Sequence, residues 1–316
     1  MQRVISAVVE GVETEINKSV VADAPIDCRR LFHGRGHCYQ DLGFINVDWY
    51  PPVIVITLYQ EIEEPLWLQL LSGIEGLKKN VNTLLVQRRY LRGAPIDCVW
   101  GTLPEKTLAN EQGMQFLLNF SSKQNIGFFL DMSPGRQWVS EHSENKRVLN
   151  LFSYTCSLSV AAIVGGARGV VNVDMSSAAL SEGRENHRLN GHTAALKRDI
   201  QFMPYDIFRS WKNIIKRGPY EVVVIDPPSR QKGSFVADKD YVKVLRRLTA
   251  LMPEGGDVLL CLNAPQLNEN FLLDMMQEQC PQAQKIARLA NREDFPERDS
   301  NRNVKMIHYR LPESHC

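Results

Sequence analysis

The chain is short of every feature that would place it outside a reducing, aqueous setting. Its seven cysteines, at 28, 38, 98, 156, 261, 280 and 316, are odd in number, scattered, and include no C-x-x-C pair. That argues against a disulfide framework and against a zinc site. No stretch reaches the roughly 18 uninterrupted apolar residues of a membrane span. The start, MQRVISAVVEGVETEIN, carries acids where an export signal has a long apolar run. These absences predict reduced thiols and a cytoplasmic protein with no metal and no membrane partner. There is no internal repeat and no low-complexity tail. There is no excess of one charge either: 37 Lys and Arg face 36 Asp and Glu, for a net charge of +1. A polyanion-binding face, if present, must therefore come from the distribution of charge and not from its sum.

Glycine is missing from one informative place. Residues 148–174, VLNLFSYTCSLSVAAIVGGARGVVNVD, read as an apolar strand (Val148 to Phe152), a tight turn (Ser153 to Ser157), a small-residue helix and a second strand (Val170 to Val173) ending in Asp174. This is half of a nucleotide-binding α/β sheet, with Asp174 placed for a ribose diol. A dinucleotide fingerprint needs G-x-G-x-x-G in that turn so that a pyrophosphate can sit on the helix N-terminus. Here the turn is Tyr154-Thr155-Cys156-Ser157. A diphosphate is disfavoured, and with it a nicotinamide oxidoreductase. S-adenosylmethionine has no phosphate and needs a close backbone turn and an acid for its ribose, so it fits. Further on, EVVVIDPPSR (Glu221 to Arg230) ends another buried strand in Asp226-Pro227-Pro228.

Local punctuation organises the rest. At 316 residues the chain is long enough for two domains, placed at 1–110 and 111–316. Residues 1–26 mix helical and extended signals and are left unplaced. VDWYPPVIVITLYQ gives a turn at Pro51-Pro52 and a β-branched strand. A helix from Pro65 to about Lys79 and a strand near Asn82 to Arg89 follow, which makes a small α+β domain. LRGAPIDCVWGTLPE reads as Gly/Pro-rich connection, and MQFLLNFSS with NIGFFLDM as a hairpin leading into the second domain. After Asp174, SSAALSEGRENHRLNG predicts a helix capped by Ser176 or Ser177 and stopped at Asn190-Gly191.

N-L-F-x-Y-T-C-x-L-S-V, the following G-G-A, V-D-x-S and D-P-P-S, taken together, resemble the class I methyltransferases of the RlmI/RlmK type, which modify bacterial ribosomal RNA. The resemblance runs from about Glu111 to the C-terminus and includes Glu111-Gln112-Gly113-Met114-Gln115-Phe116 and then Gly127-Phe128-Phe129-Leu130-Asp131 with Arg136, which in that family is a hairpin packed beside the cofactor. It implies a Rossmann-like sheet with helices on both faces and a small α+β N-terminal domain. It also implies S-adenosylmethionine as cofactor, held by Asp131, Phe152, Tyr154, Thr155, Cys156, Ser157, Asp174, Met175, Ser176, Asp206, Ile207 and Asp226. Asp206 with Ile207 would lie against the adenine. Read without the resemblance, an Asp before an apolar pair is a helix cap. The chain departs from the family twice: relatives often have Gly where Cys156 stands, and the small RNA-binding PUA pattern that begins several of them is not found in residues 1–60.

The resemblance places the reaction at Asp226, Pro227, Pro228 and Asn263. Amine-methylating relatives have an aromatic residue after Pro-Pro; here it is Ser229. Methylation at pyrimidine C5 needs a thiolate. Cys261 stands within an apolar run, two residues before the position that carries the cysteine in such relatives, and reads as core. At that position Asn263 resembles the guanine-N7 half of the fused RlmKL enzymes, and Phe295 to Leu311 resembles their end. Guanine N7 presents a lone pair at neutral pH, so transfer needs positioning and no base. Cytosine C5 chemistry through Cys261 and a non-catalytic RNA-binding factor remain as alternatives. His187 and His192 flank a helix end and read as surface residues. RNA is the expected partner, with a second copy of the chain also open. Arg29, Arg30, His33 and Arg35, and Lys78, Lys79, Arg88, Arg89 and Arg92, form two clusters with Tyr39 and Tyr90 nearby. They read either as an RNA face or as solvated and internally paired charges.

Overall fold

Residues 2–22 form one helix, α1 (Gln2–Ala22). It resolves the mixed signal of the first 26 residues, because Val4, Val8 and Val12 recur at the four-residue spacing that stacks side chains on one helical face, and all three are buried. The computed structural model describes residues 1–120, 125–228, 230, 231 and 235–313; Ser229 lies outside the described residues. The chain divides into two compact units, Met1–Leu130 with Arg292–Arg298, and Asp131–Asn291 with Asp299–Cys316. No helix among the described residues is long and apolar enough to cross a membrane.

In the first unit β1 (Arg29–His33), β2 (Ile45–Tyr50), β3 (Val53–Leu58), β4 (Thr83–Arg88) and β5 (Ile96–Trp100) form one sheet in sequence order. Its pairs are antiparallel except β3 with β4, which run parallel and are joined through α2 (Glu64–Ile74), as a parallel connection requires. α1 and α2 cover the sheet, and a Cβ on Gly73 of α2 would lie 2.6 Å from Ile5 of α1, so glycine permits the close approach. The turn at Pro51-Pro52 is as expected. The stretch LRGAPIDCVWGTLPE is more than a connection, since it supplies β5, whose half-exposed residues hide the strand pattern. The hairpin also differs from the sequence reading. It pairs β6 (Thr107–Glu111) with β7 (Met114–Leu118), joined by Gln112 and Gly113, both at positive φ, the conformation that a two-residue hairpin turn demands. The boundary read at 110/111 falls inside this hairpin.

The second unit opens with α3 (Ser133–His142), β8 (Arg147–Leu151), α4 (Ser157–Val164), β9 (Gly169–Val173), α5 (Ser177–Leu189), α6 (Thr193–Arg198) and β10 (Ile200–Met203). It continues with α7 (Trp211–Ile215), β11 (Val222–Ile225), the short pair β12 (Arg230–Gln231) and β13 (Phe235–Val236), α8 (Ala237–Leu245), α9 (Leu248–Leu251) and β14 (Gly256–Leu262). It closes with α10 (Asn270–Gln279), β15 (Gln284–Arg288) and β16 (Lys305–Leu311). The main sheet has the order β10-β9-β8-β11-β14-β16-β15. Its first five strands are parallel; β16 runs antiparallel to β14, and β15, antiparallel to β16, returns to the direction of the first five. The parallel strands are apolar runs without alternation because helices cover both faces. The two faces give separate clusters, one including Leu149, Val223 and Leu260, the other Val148, Val224 and Cys261.

Candidate functional site

Four of the parallel strands end flush, since Leu151 pairs with Val173 and with Ile225 and Val173 with Met203, while β14 runs two residues past Leu260, the partner of Ile225. The residues that follow them therefore line one edge of the sheet in the order Asp206, Asp174, the 152–157 turn, Asp226 and Asn263. Between β8 and β11 the connections leave in opposite directions, and that switch point is where open α/β sheets bind ligands.

The turn after β8 works without glycine by an unusual route. Phe152, Tyr154 and Cys156 all take positive φ, at 59°, 46° and 62°, a region costly for residues with a Cβ. The surroundings hold it there. Ser153 N–H donates to Val173 O at 3.1 Å and Cys156 N–H to Ser153 O at 2.7 Å. Asn186 Nδ2 donates to Thr155 O at 2.9 Å. Cys156 immediately precedes α4 with its thiol fully buried, and burial pushes that thiol up to about 12.

Asp174 ties this turn to the next. Its Oδ2 accepts the Tyr154 N–H at 2.9 Å and its Oδ1 the Ser176 N–H at 2.8 Å. Half-buried, it keeps further lone pairs for a ligand. Ser176 caps α5 by accepting Ala179 N–H at 3.1 Å, while Met175 between them is 52% exposed and leaves a flexible apolar side chain open to solvent. The backbone amide of Asp174 donates to Met203 O. Phe152 turns toward the core, edge-on to buried Phe235 at 5.2 Å.

Asp206 has the cap geometry that the bare sequence suggests. It accepts Phe208 N–H at 2.9 Å at the start of a single 3-10 turn, and Arg209 lies 3.4 Å from its other oxygen. Ile207 is buried in the core.

At the centre of the edge, removal from water pushes the Asp226 carboxyl up to about 7, with Asp131 adding to the rise and Arg136 opposing it. A cation beside Asp226 would offset the neighbouring charge of Asp131. S-adenosylmethionine carries a sulfonium and an ammonium, so the acids present fit it, as does a turn too poor in glycine for a pyrophosphate. Pro227 is buried and Pro228 half-buried; Asn263, just beyond β14, is exposed. Cys261 is fully buried and burial holds its thiol well above the ordinary value, in keeping with a core residue and against a thiolate nucleophile.

Three supports were missed from the sequence. Tyr241 of α8, fully buried, donates to Ile225 O at 3.4 Å and closely to Cys261 O, bridging the ends of β11 and β14 behind Asp226. Lys305, also fully buried, donates to Ala264 O at 2.8 Å beside Asn263. The third is a chain of polar groups under the turn. Asn150 Nδ2 donates to Asn172 Oδ1 at 3.1 Å, and Asn172 Nδ2 to Ser159 Oγ at 3.0 Å. Ser159 Oγ lies 2.9 Å from His187 Nε2, and His187 Nδ1 lies 3.0 Å from His192 Nδ1. His187 is therefore buried, not a surface residue, and burial with His192 beside it lowers its pKa to about 3. An asparagine in the middle of each of two apolar strands, VLNLF and VVNVD, was the available signal, since a lone polar side chain there needs a partner.

Residues 29–310 match the family described as S-adenosylmethionine-dependent methyltransferase. The chain is 33% identical over 255 residues to the ribosomal RNA large subunit methyltransferase K/L of Vibrio parahaemolyticus, covering 75% of this chain and 34% of that protein. It is 34% identical over 174 residues to the large subunit methyltransferase I of Aeromonas salmonicida, covering 54% and 43%. The chain thus spans about a third of one relative and somewhat under half of the other. Among solved structures, SMU.776 complexed with SAH matches with a TM-score of 0.83 at 22% identity, over 98% of this chain and 81% of that one, a likeness of fold.

Proposed function

The chain belongs to the S-adenosylmethionine-dependent methyltransferase family, and from that premise we propose that it methylates a base of ribosomal or transfer RNA in the cytoplasm, at guanine N7. The single observation that carries the choice of atom is the end of β14. Cys261 is buried in the core there, while Asn263 is exposed, so the end of this strand presents an amide and not a thiolate. When bound, the cofactor supplies an electrophilic methyl group on sulfur. The turn and Asp174 would hold its amino-acid and ribose parts, Met175, Asp206 and Ile207 would serve its adenine, and Asp226 with Asp131 would meet its positive charge. Pro227 and Pro228 fix the loop that presents the acceptor, since proline locks φ and leaves little to reorganise. Asn263 orients the guanine edge by hydrogen bonds. N7 enters the reaction with its own lone pair, so no side chain has to take a proton. Relatives bearing the ribosomal RNA large subunit methyltransferase name support RNA as the acceptor class.

The test is mass spectrometry of nucleosides from fractionated ribosomal and transfer RNA of cells with and without the gene, followed by addition of purified protein and labelled S-adenosylmethionine to the deficient RNA. Loss and restoration of 7-methylguanosine in one RNA is the expected result. Restoration of a different methylated nucleoside overturns the choice of atom, and no change in any RNA overturns the RNA acceptor.

A further inference from the structure

The basic clusters of the first unit are divided by their ion pairs. Arg29 pairs with Glu15, Arg30 with Asp48 at 2.7 Å, Lys78 with Glu75 at 2.9 Å, and Arg88 with Asp97. Arg30 is further fixed at 4.2 Å over the ring of Phe295. These charges are largely spent on the protein itself.

Arg35 and Arg89 are different. Among the described residues no carboxylate lies within ion-pair distance of either, and Glu61, close along the chain, pairs with neither. Arg89 donates to Asn125 Oδ1 at 3.5 Å, and both guanidiniums converge on one aromatic ring: the guanidinium carbon of Arg35 is 4.4 Å from the centroid of Tyr59 and that of Arg89 is 5.9 Å. Two cations gathered on one ring repel each other, and the negative face of the ring offsets only part of that cost. A polyanion would offset the rest.

The backbone builds this arrangement. β3 and β4 run parallel with Leu58 opposite Arg88, so Tyr59 and Arg89 leave the sheet side by side, and Arg89 N–H donates to Leu58 O at 2.8 Å. Tyr59 N–H donates to Phe44 O at 2.7 Å. Arg35 arrives from the turn after β1, where both flanking glycines are buried. A Cβ on Gly34 would lie 1.9 Å from Leu42 O, and one on Gly36 1.8 Å from Pro296 O. Only the Arg35 side chain can project from that turn, and it is exposed.

We propose that Arg35, Tyr59 and Arg89 form an RNA-docking site on the first unit, with the two guanidiniums taking backbone phosphates and Tyr59 holding them at fixed separation. The inference rests on RNA being the acceptor. It names a surface of the first unit that would hold RNA. Arginine suits the role because its planar fork meets phosphate oxygens in pairs.

The experiment titrates the full chain with a short labelled single-stranded RNA of mixed sequence, by fluorescence anisotropy, between about 50 and 200 mM salt. Wild type is compared with Arg35→Ala, Arg89→Ala, Arg89→Glu, Tyr59→Leu and Tyr59→Phe, with thermal midpoint and S-adenosylmethionine affinity recorded for each. Each arginine variant should lose about tenfold in affinity and lower the slope of log affinity against log salt by about 0.7. Tyr59→Leu should weaken binding, Tyr59→Phe should retain it, and cofactor affinity should not change. Wild-type slope and affinity in folded arginine variants overturn the docking site and leave the proposed reaction standing. A wild type that binds cofactor but no RNA overturns both. Should Arg35→Ala fail to fold, Arg89→Glu and Tyr59→Phe decide alone.

Discussion

The sulfur of Cys156 fills the space that Gly183 leaves open: a Cβ built on Gly183 would lie 2.5 Å from Cys156 Sγ and 3.0 Å from its Cβ. The N-terminal end of α4 and the middle of α5 thus meet through one thiol and one missing side chain, directly under the candidate cofactor turn. Gly183→Ala should destabilise the protein by about 1–3 kcal/mol, the usual cost of overpacking, and should weaken S-adenosylmethionine binding by shifting the turn. Cys156→Gly should be close to neutral, since it gives up a buried thiol but frees a backbone at φ 62° from a penalty of about 1–2 kcal/mol. Combining the two should recover most of the loss caused by Gly183→Ala. Denaturant unfolding in a double-mutant cycle checks this, and additive losses would refute the contact.

The Asp226 carboxyl has its pKa pushed up to about 7, against about 3.9 in an unfolded chain. The folded state therefore holds this proton more tightly than the unfolded state. Its contribution to stability is fully present below the unfolded value and is lost as pH rises to about 7, after which it is constant. Asp226→Asn should remove that part of the pH dependence of the thermal midpoint. A cation bound beside Asp226 favours the ionised form. Affinity for S-adenosylmethionine should thus climb between about pH 6 and about pH 8 in wild type and stay flatter in Asp226→Asn. Calorimetric titrations with S-adenosylmethionine and with SAH, whose sulfur is neutral, separate the sulfonium from the rest of the ligand. Parallel pH profiles for wild type and variant would remove Asp226 from the cofactor's surroundings.

How much of this was legible depended on whether the pattern was local. The strand-turn-helix at 148–164 and the Ser176 cap were readable because each is written in neighbouring residues: an apolar run, a small-residue turn, a serine before a helix. The expected cofactor contacts that follow strands, Asp174, Asp226 and the 152–157 turn, stand along one edge because flush parallel strands put consecutive ends together. Tyr241, Lys305 and His187 were not readable, since each acts on a residue distant in sequence and none breaks a local rule. The basic clusters were visible as composition. Their division into paired and unpaired arginines depended on carboxylates as far away as Glu15, Asp48 and Asp97. β5 and β6 were missed because half-exposed, polar-containing strands resemble connection.

The buried chain from Asn150 to His192 makes acid sensitivity a measurable property of the second unit. His187 has its pKa lowered from 6.5 to about 3, so the unfolded chain binds a proton at pH values where the folded one does not. The stability held by neutral His187 is full above about pH 6.5 and is lost progressively as pH falls toward about 3. Between pH 7 and pH 5 the loss should be about 2 kcal/mol. His187→Gln, which keeps a partner for Ser159, should lower stability at pH 7 yet lose less than wild type on going to pH 5. Chemical denaturation at both pH values tests it, and an equal loss in the two proteins would show that His187 is not the titrating group.

Cys261 and Asn263 stand two residues apart on β14 and just beyond it, and they separate two chemistries. C5 methylation requires a thiolate to add to the pyrimidine ring, and so a sulfur that is exposed and easily ionised. Cys261 is neither: it is fully buried, its thiol is held high by removal from water with Asp226 adding to the effect, and its carbonyl is engaged by Tyr241. Cys261→Ser should therefore keep methyl transfer within a few-fold of wild type, any loss tracking the stability cost of a buried hydroxyl of about 1–3 kcal/mol. Iodoacetamide should label exposed Cys38 and Cys98 in the native protein and spare Cys261. Asn263→Ala should leave cofactor affinity unchanged and lower kcat by about tenfold or more, because an amide that orients the acceptor acts on the encounter and not on the cofactor. A covalent protein–RNA adduct trapped with 5-fluorocytidine RNA and abolished by Cys261→Ser would reverse the assignment, placing the reaction at carbon and returning Asn263 to an ordinary loop residue.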